Sequence, residues 1–454
     1  MKKKPIILAK LLLVGALGAV TVSASVAQAA DPSRSAAVAP AETSNEYGLF
    51  LKEKLGIDLP EEPKKGDFLA ALADALRIEP TAEPVAFKDL PASSPYFDDA
   101  KALFQHGIIT TENVQASVRL TAENAVQIAV KAAGLQELAD TYPAAKVEQA
   151  FAKLKLNPVR FTPRSAQVIA AAADTGLLPA EYYGELRGKL AASEPLSVVL
   201  IGKVLSLKGL YKHYVGYVSD PDIYNKLTDA YTASDIIRSD SLQKVVDAAL
   251  EQNLVTGYNL KDARYDANFV ESLSLVYGHS DWKHALQLIG LLRSEGIDAK
   301  VQFEPKTSAF VYLKDWGDPG TSDLFEVRQI ANGNYIEYAK EYDLAFEFRN
   351  AADKERFNQI ILAYAKKNSE DQPGLIAGSW WQPLYYSLTE LPDYKQITNN
   401  KITAGHYYAQ SFSLKEQSQA VIDGFKKVDP KVEVEHYDFW TDVPFFNYLN
   451  GDSK

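Results

Sequence analysis

Apolar residues fall at helical spacing through most of the first half of the chain, and strand-like runs appear only in the second. The clearest stretch is 87–135. There Phe97, Ala100, Leu103 and Phe104 recur three and four residues apart and make one apolar helix face. That helix stops at Gly107-Ile108-Ile109, where a glycine suits a left-handed end. After a polar loop Thr121 stands as an N-cap, and Ala125, Ile128, Ala129 and Ala132 line a second helix that ends at Gly134-Leu135. Fainter copies flank this unit. In 46–78, Tyr47, Leu51 and Leu55 lead to Gly56-Ile57, a proline-bounded loop and a second apolar run from Phe68 to Leu76. In 161–207, a helix over 165–175 ends at Gly176-Leu177-Leu178 and is followed by an apolar helix over 196–207. One two-helix unit cannot bury its own face, so the three copies predict a single all-α, three-repeat bundle over 46–207.

Beyond it, 208–262 predicts a helical connector, with helices at 220–231 and 239–252 closed by a turn at Thr256-Gly257-Tyr258-Asn259. The pattern then mixes. A helix over 282–294 is stopped by Gly296, and strands follow at 299–303 and 309–313. Two more, 324–330 and 335–338, flank the hairpin turn Asn332-Gly333-Asn334. A strand at 344–348 precedes a helix over 352–367, in which Phe357, Ile360, Ile361 and Tyr364 share a face. A strand at 406–412, a helix at 415–427 and a strand at 432–437 close the chain. Strands alternating with single helices predict a C-terminal mixed α/β layer domain over 263–454, so the fold class is α+β multidomain.

Composition adds a destination. Lys2, Lys3, Lys4 and Lys10 precede an apolar run of twelve residues, Leu11 to Val22, and Ala27-Gln28-Ala29 offers a cleavage site. Residues 1–29 thus predict a secretory signal peptide, too short in its apolar part to span a bilayer. Residues 30–45, rich in Ala, Pro and Ser, predict a linker. The chain has no cysteine, which excludes disulfides, thiol nucleophiles and thiolate metal sites. Of 48 basic residues, four lie in the signal, which has no acid. The mature chain then carries 44 basic against 59 acidic residues, a net charge of −15. Bulk electrostatics therefore exclude nucleic acid and anionic membrane as partners after signal cleavage. An anionic partner needs a local basic pocket.

With its Phe87-Lys88-Asp89 turn, Gly107-Ile108-Ile109 and Leu120-Thr121, the two-helix unit resembles the S-layer homology (SLH) module. The resemblance implies a secreted surface protein of a Gram-positive bacterium, held non-covalently in the cell wall or S-layer. In that family the second helix begins Ile-Thr-Arg-Ala-Glu, and the arginine binds an acidic, often pyruvylated, secondary cell-wall polysaccharide. A guanidinium suits this because it holds a carboxylate with two parallel hydrogen bonds. The corresponding positions here are degenerate. They read Pro63-Lys64-Lys65-Gly66-Asp67 in the first copy, Leu120-Thr121-Ala122-Glu123-Asn124 in the second and Ala192-Ser193-Glu194-Pro195-Leu196 in the third. Only the first keeps a cation in the arginine slot, and Arg119 lies just outside the motif. The candidate polymer-binding residues are Lys64, Lys65, Asp67, Arg119 and Thr121; the alternative for Lys64, Lys65 and Arg119 is a set of solvated helix-start and loop residues.

The segment from Gly278 to Lys300 is similar to the core helix of transglutaminase-like proteins, with Asp281 in the cysteine slot. Without a thiolate, covalent acyl transfer has no nucleophile, and an unrelated helix–turn–strand fits the same spacing. His279 and His284, five apart, predict different helix faces and a poor metal pair. Trp380 and Trp381 are candidates for sugar stacking or a partner contact, or else for a loop that plugs the core. Acidic residues such as Asp315, Asp318, Glu347 and Asp442 are plentiful, but their spacing selects no pair. No catalytic residue, metal or cofactor is predicted. Two functions remain: a wall-associated binding or structural protein, and a wall-anchored hydrolase with an unidentified carboxylate site in the C-terminal domain.

Overall fold

Eight helices occupy residues 44–207 in the computed structural model, which describes residues 43–188, 190–364 and 384–451. They are α1 (Ser44–Leu55), α2 (Lys65–Leu76), α3 (Phe97–Gln105), α4 (Ala122–Ala132), α5 (Gln136–Asp140), α6 (Ala144–Leu154), α7 (Pro163–Asp174) and α8 (Glu194–Leu207). Thr43, Thr121, Thr162 and Ser193 cap α1, α4, α7 and α8, each side chain accepting a backbone N–H from the first turn. Each cap satisfies a donor that the helix itself leaves open. Packing is cyclic. Helix α3 rests on α2, α7 on α4 and α1 on α8, and α8 also touches α2 and α4. The first helix of one unit therefore lies on the second helix of another, around one shared apolar core.

Helix α8 is buried on every face from Leu196 to Leu205, apart from the half-buried Lys203, so its apolar residues run all round it. Gly202 permits the closest approach. A Cβ there would sit 2.0 Å from the ring of Tyr47 on α1.

The remaining elements are β1 (Gly216–Tyr217), α9 (Ile223–Ala233), α10 (Asp240–Glu251), β2 (Gly257–Asp262), β3 (Ser274–His279), α11 (Trp282–Ser294), β4 (Ala299–Tyr312), β5 (Phe325–Gln329), β6 (Tyr335–Phe348), α12 (Ala351–Tyr364), β7 (Leu384–Ser387), β8 (Lys395–Ala404), β9 (Tyr407–Ser413), α13 (Ser418–Val428), β10 (Glu435–Thr441) and α14 (Val443–Leu449). Eight strands close into an antiparallel barrel in the order β4-β2-β9-β8-β10-β7-β3-β6, with β6 returning to β4 along its whole length. Strands β1 and β5 extend it beside β4 and β6. The barrel has two four-stranded halves. One runs β3-α11-β4-β6-α12-β7 with strand order β7-β3-β6-β4, the split βαβ arrangement. In the other, α10, β2, β8, β9, α13 and β10 give the order β10-β8-β9-β2, in which the first two strands in sequence have exchanged places.

This corrects the expected fold class. The C-terminal part is a closed barrel, not a mixed α/β layer domain, and 208–262 is no separate helical connector. Helices α9 and α10 pack on the barrel wall, and Gly257-Tyr258-Asn259, read as a turn, begins a strand that closes it. The reason lies in the alternation. In β4 the apolar Val301 and Phe303 alternate with Lys300, Gln302, Glu304 and Lys306, and both sets are buried. A sheet in a layer would turn such a polar set to water. Here the apolar set faces out under helices, against Leu288 and Leu292 of α11 and Phe357 of α12, while the polar set lines the lumen. The opposite half does the same under Val246 of α10 and Phe425 of α13.

The bundle meets the barrel through a charged seam. Lys300 Nζ lies 2.9 Å from Glu46 Oε1 of α1 and 3.3 Å from Glu347 Oε1, and Lys212 Nζ lies 2.7 Å from the same Glu347 oxygen. Burial alone would raise the Glu46 carboxyl, but the charge and hydrogen bond of Lys300 outweigh it and hold it below 4.5. Tyr211 adds ring contacts to Tyr47 and Phe50, with centroids 4.9 and 4.6 Å apart.

Candidate functional site

The second helices of the first two units start side by side. Lys64 and Arg119 form an isolated antiparallel bridge, as do Thr121 and Ala191 at the next junction. These short bridges set where the charges of each helix start can reach. Lys64 is the exposed N-cap of α2. Asp67 is committed to structure: one oxygen accepts the Lys64 N–H at 2.8 Å and the other accepts the Tyr96 hydroxyl at 2.7 Å. Arg119 is exposed and pairs with Glu62 at 2.9 Å. Thr121 is committed to its cap, accepting Asn124 N–H at 3.2 Å. Of the five sequence candidates, Lys65 lines a hollow between the helices.

That hollow, about 110 Å³, lies between Lys65, Ile109 and Thr110 on one side and Asn124, Gln127 and Lys131 on the other. A second hollow of about 540 Å³ adjoins it, shares Thr110, Gln127 and Lys131, and adds Thr162, Arg164 and Ser165 from the start of α7. Three cations from three helices thus line one continuous groove. Burial pushes the Lys65 amine down; Asp89 partly opposes this and Lys131 adds to it. Burial also lowers Lys131, with Arg164 adding to the effect. Cations depressed by burial and by a neighbouring cation, in a half-buried groove, favour an anion beside them.

The floor is polar and internally satisfied. Gln127 Nε2 donates to Ser165 Oγ at 3.0 Å and to Glu123 Oε1 at 3.2 Å, and Ser165 donates to the same Glu123 oxygen. Lys131 Nζ donates to Thr110 Oγ1 at 3.1 Å, and Arg164 lies 3.9 Å from Asp140. Glu194, at the corresponding start of α8, is held above 4.5 by burial, with Asp58 adding to it.

Sequence reasoning missed Lys131 and Arg164. Lys131 sits at the far end of α4 and Arg164 on a first helix, so neither occupies a motif slot. The one available signal was Arg164 in Thr162-Pro163-Arg164, a cation at a capped helix start.

The other candidates fall elsewhere. Asp281 caps α11, accepting Lys283 N–H at 2.9 Å, and holds no position for nucleophilic attack. His279 and His284 do not lie on one helix. His279 ends β3, His284 is on α11, and their rings pack with centroids 4.4 Å apart. Burial, then the neighbouring His284, pushes the His279 imidazole down to about 4. Glu347 is held by Lys212 and Lys300. Among the described residues, no three His, Asp or Glu side chains are grouped to hold a metal ion. Trp380 and Trp381 lie outside the described residues. No family model matches the chain, and no curated protein matches it.

Proposed function

We propose that this is an exported surface protein that binds an acidic wall polysaccharide non-covalently through the groove between its helical units. The observation that carries the reading is the convergence of Lys65, Lys131 and Arg164 on one groove in a chain of net charge −11. Cyclic packing of paired helices and the capped helix starts support it, as does the resemblance of 87–135 to SLH units. Signal-like residues 1–29 supply the export. In this reading the sugar carboxylate sits between Lys65 and Lys131, and Asn124 and Gln127 meet its hydroxyls. Lysine is a point charge, not a planar fork, so binding is weaker than at an intact arginine motif.

Co-sedimentation with purified wall sacculi, before and after their secondary polymer is stripped, tests it. A charge-assisted contact of about 1.5–3 kcal/mol predicts a ten- to hundredfold loss of binding for Lys65→Ala and for Lys131→Ala. Arg119→Ala should change little, since Arg119 is exposed on Glu62. Pelleting that survives both lysine substitutions and stripping would sink the reading.

A further inference from the structure

The barrel encloses a second, unrelated cavity. It has a volume of about 410 Å³ and opens where the bundle meets the barrel, with Lys54 and Arg77 of the helical part at its rim. An eight-stranded barrel has room for packed side chains or for one small ligand. In this one α14 closes the far end, where Phe445, Phe446 and Leu449 pack on Ile397, Leu414 and Phe439. The nearer part is polar and partly empty.

The charges on the barrel strands that line it are matched within the wall. Lys261 Nζ lies 2.5 Å from Glu304 and 2.9 Å from Asp343; Lys306 Nζ lies 2.8 Å from the other Asp343 oxygen. Glu304 also accepts the Ala267 N–H at 2.8 Å, and Glu347 accepts that of Val270 at 2.8 Å, which ties the rim loop between β2 and β3 to the lumen. A charged ligand would have to break into pairs already satisfied, at the cost of leaving a buried charge unmatched. A neutral one would not.

What the wall offers is neutral hydrogen bonding beside aromatic surface. Gln410 lines the cavity and is 8% exposed. The Tyr386 hydroxyl is 3.5 Å from Asp343, at the limit of a bond, and Tyr408 donates to Asp266 at 2.7 Å. Tyr437, which accepts from Asn399 at 2.9 Å, completes the aromatic lining. A side-chain amide brings two donors and an acceptor, which suits the hydroxyls of a ligand in the lumen.

We infer that the barrel lumen is a binding site for an uncharged, polyhydroxylated molecule of mono- or disaccharide size, oriented by the Gln410 amide and the Tyr386 hydroxyl. This stands apart from the surface groove, which selects an anion. Ring hydroxyls satisfy the amide, and the apolar sugar face lies on tyrosine. Because Lys54 and Arg77 belong to the helical part, the site is complete only with both parts in place.

The test is calorimetric titration of the mature chain with glucose, N-acetylglucosamine, N-acetylmannosamine and maltose, with acetate, phosphate and lysine as charged probes. At least one neutral sugar should bind saturably and the charged probes should not. Gln410→Leu should weaken that binding about tenfold. Tyr386→Phe removes one hydroxyl and little else, so it should weaken binding even if Gln410→Leu fails to fold. Lys65→Ala should leave sugar binding unchanged, which separates this site from the wall groove. Absence of neutral-sugar binding at about 10 mM, equal binding by both lumen variants and wild type, or preference for a charged probe would each overturn the assignment.

Discussion

The bundle and the barrel solve the same problem with opposite polarity. Both are rings of elements closed on themselves, one from paired helices and one from two four-stranded halves. The bundle keeps its centre apolar around α8 and leaves its cations in a groove at the surface. The barrel turns its apolar residues outward under five helices and places Lys261, Lys306, Glu304 and Asp343 at its centre. The contrast teaches where each part can bind. Unmatched charge is tolerable only near water, so the proposed anion site lies at the surface of the bundle. Charge taken inside must be matched, and a matched wall selects a neutral ligand.

The largest expected effect is on the barrel centre. Lys261 is fully enclosed, and although burial would lower its amine, Asp343 and Glu304 hold it well above 10.5. Lys261→Met would leave two carboxylates facing one another with Lys306 alone between them. We expect a loss of about 3–5 kcal/mol in chemical denaturation, the range for breaking a buried pair. An unchanged midpoint would mean the lumen is wetter and less electrostatically tense than the closed pairs indicate.

Next comes the bundle centre, where size and not charge decides. Gly202→Ala should cost about 1–3 kcal/mol, because the new methyl meets the ring of Tyr47 and neither α1 nor α8 has room to move. Tyr47→Leu in the same chain should recover part of it. A neutral Gly202→Ala would show that the helices slide apart easily, against the tight cyclic packing.

The smallest effect is a pH dependence in the barrel half that carries His279. Its imidazole titrates near 4 when folded and near 6.5 when unfolded. The unfolded chain therefore takes up the proton first, and the stability due to neutral His279 is present above 6.5 and lost as pH falls toward 4. Thermal melts between about pH 7 and about pH 6 should show a decline of about 0.7 kcal/mol that His279→Gln flattens. Equal slopes would place the titration elsewhere.

Local patterns carried far in the bundle. Thr121 and Ser193 cap helices through bonds to their own first turns, and Gly56, Gly107 and Gly176 adopt the left-handed ends that follow a helix. Such features depend on neighbours three or four residues away, so a linear reading finds them. The hairpin turn at Gly333, with φ at 87°, belongs to the same class.

The sequence by itself determined which positions are apolar, where the paired helices of the three units run, that no thiol chemistry exists, and that any anion site must be local. Tertiary structure decided the rest. Whether the polar side of β4 faces water or a lumen depends on the β4–β2 and β10–β7 pairings, which join segments tens of residues apart. Lys131 and Arg164 join Lys65 only because α4 and α7 pack together beside the start of α2. His279 and His284 meet only because a strand ends between them. Helical and strand periods are written along the chain, but the closing of a ring is a property of distant contacts, and no local interaction energy records it.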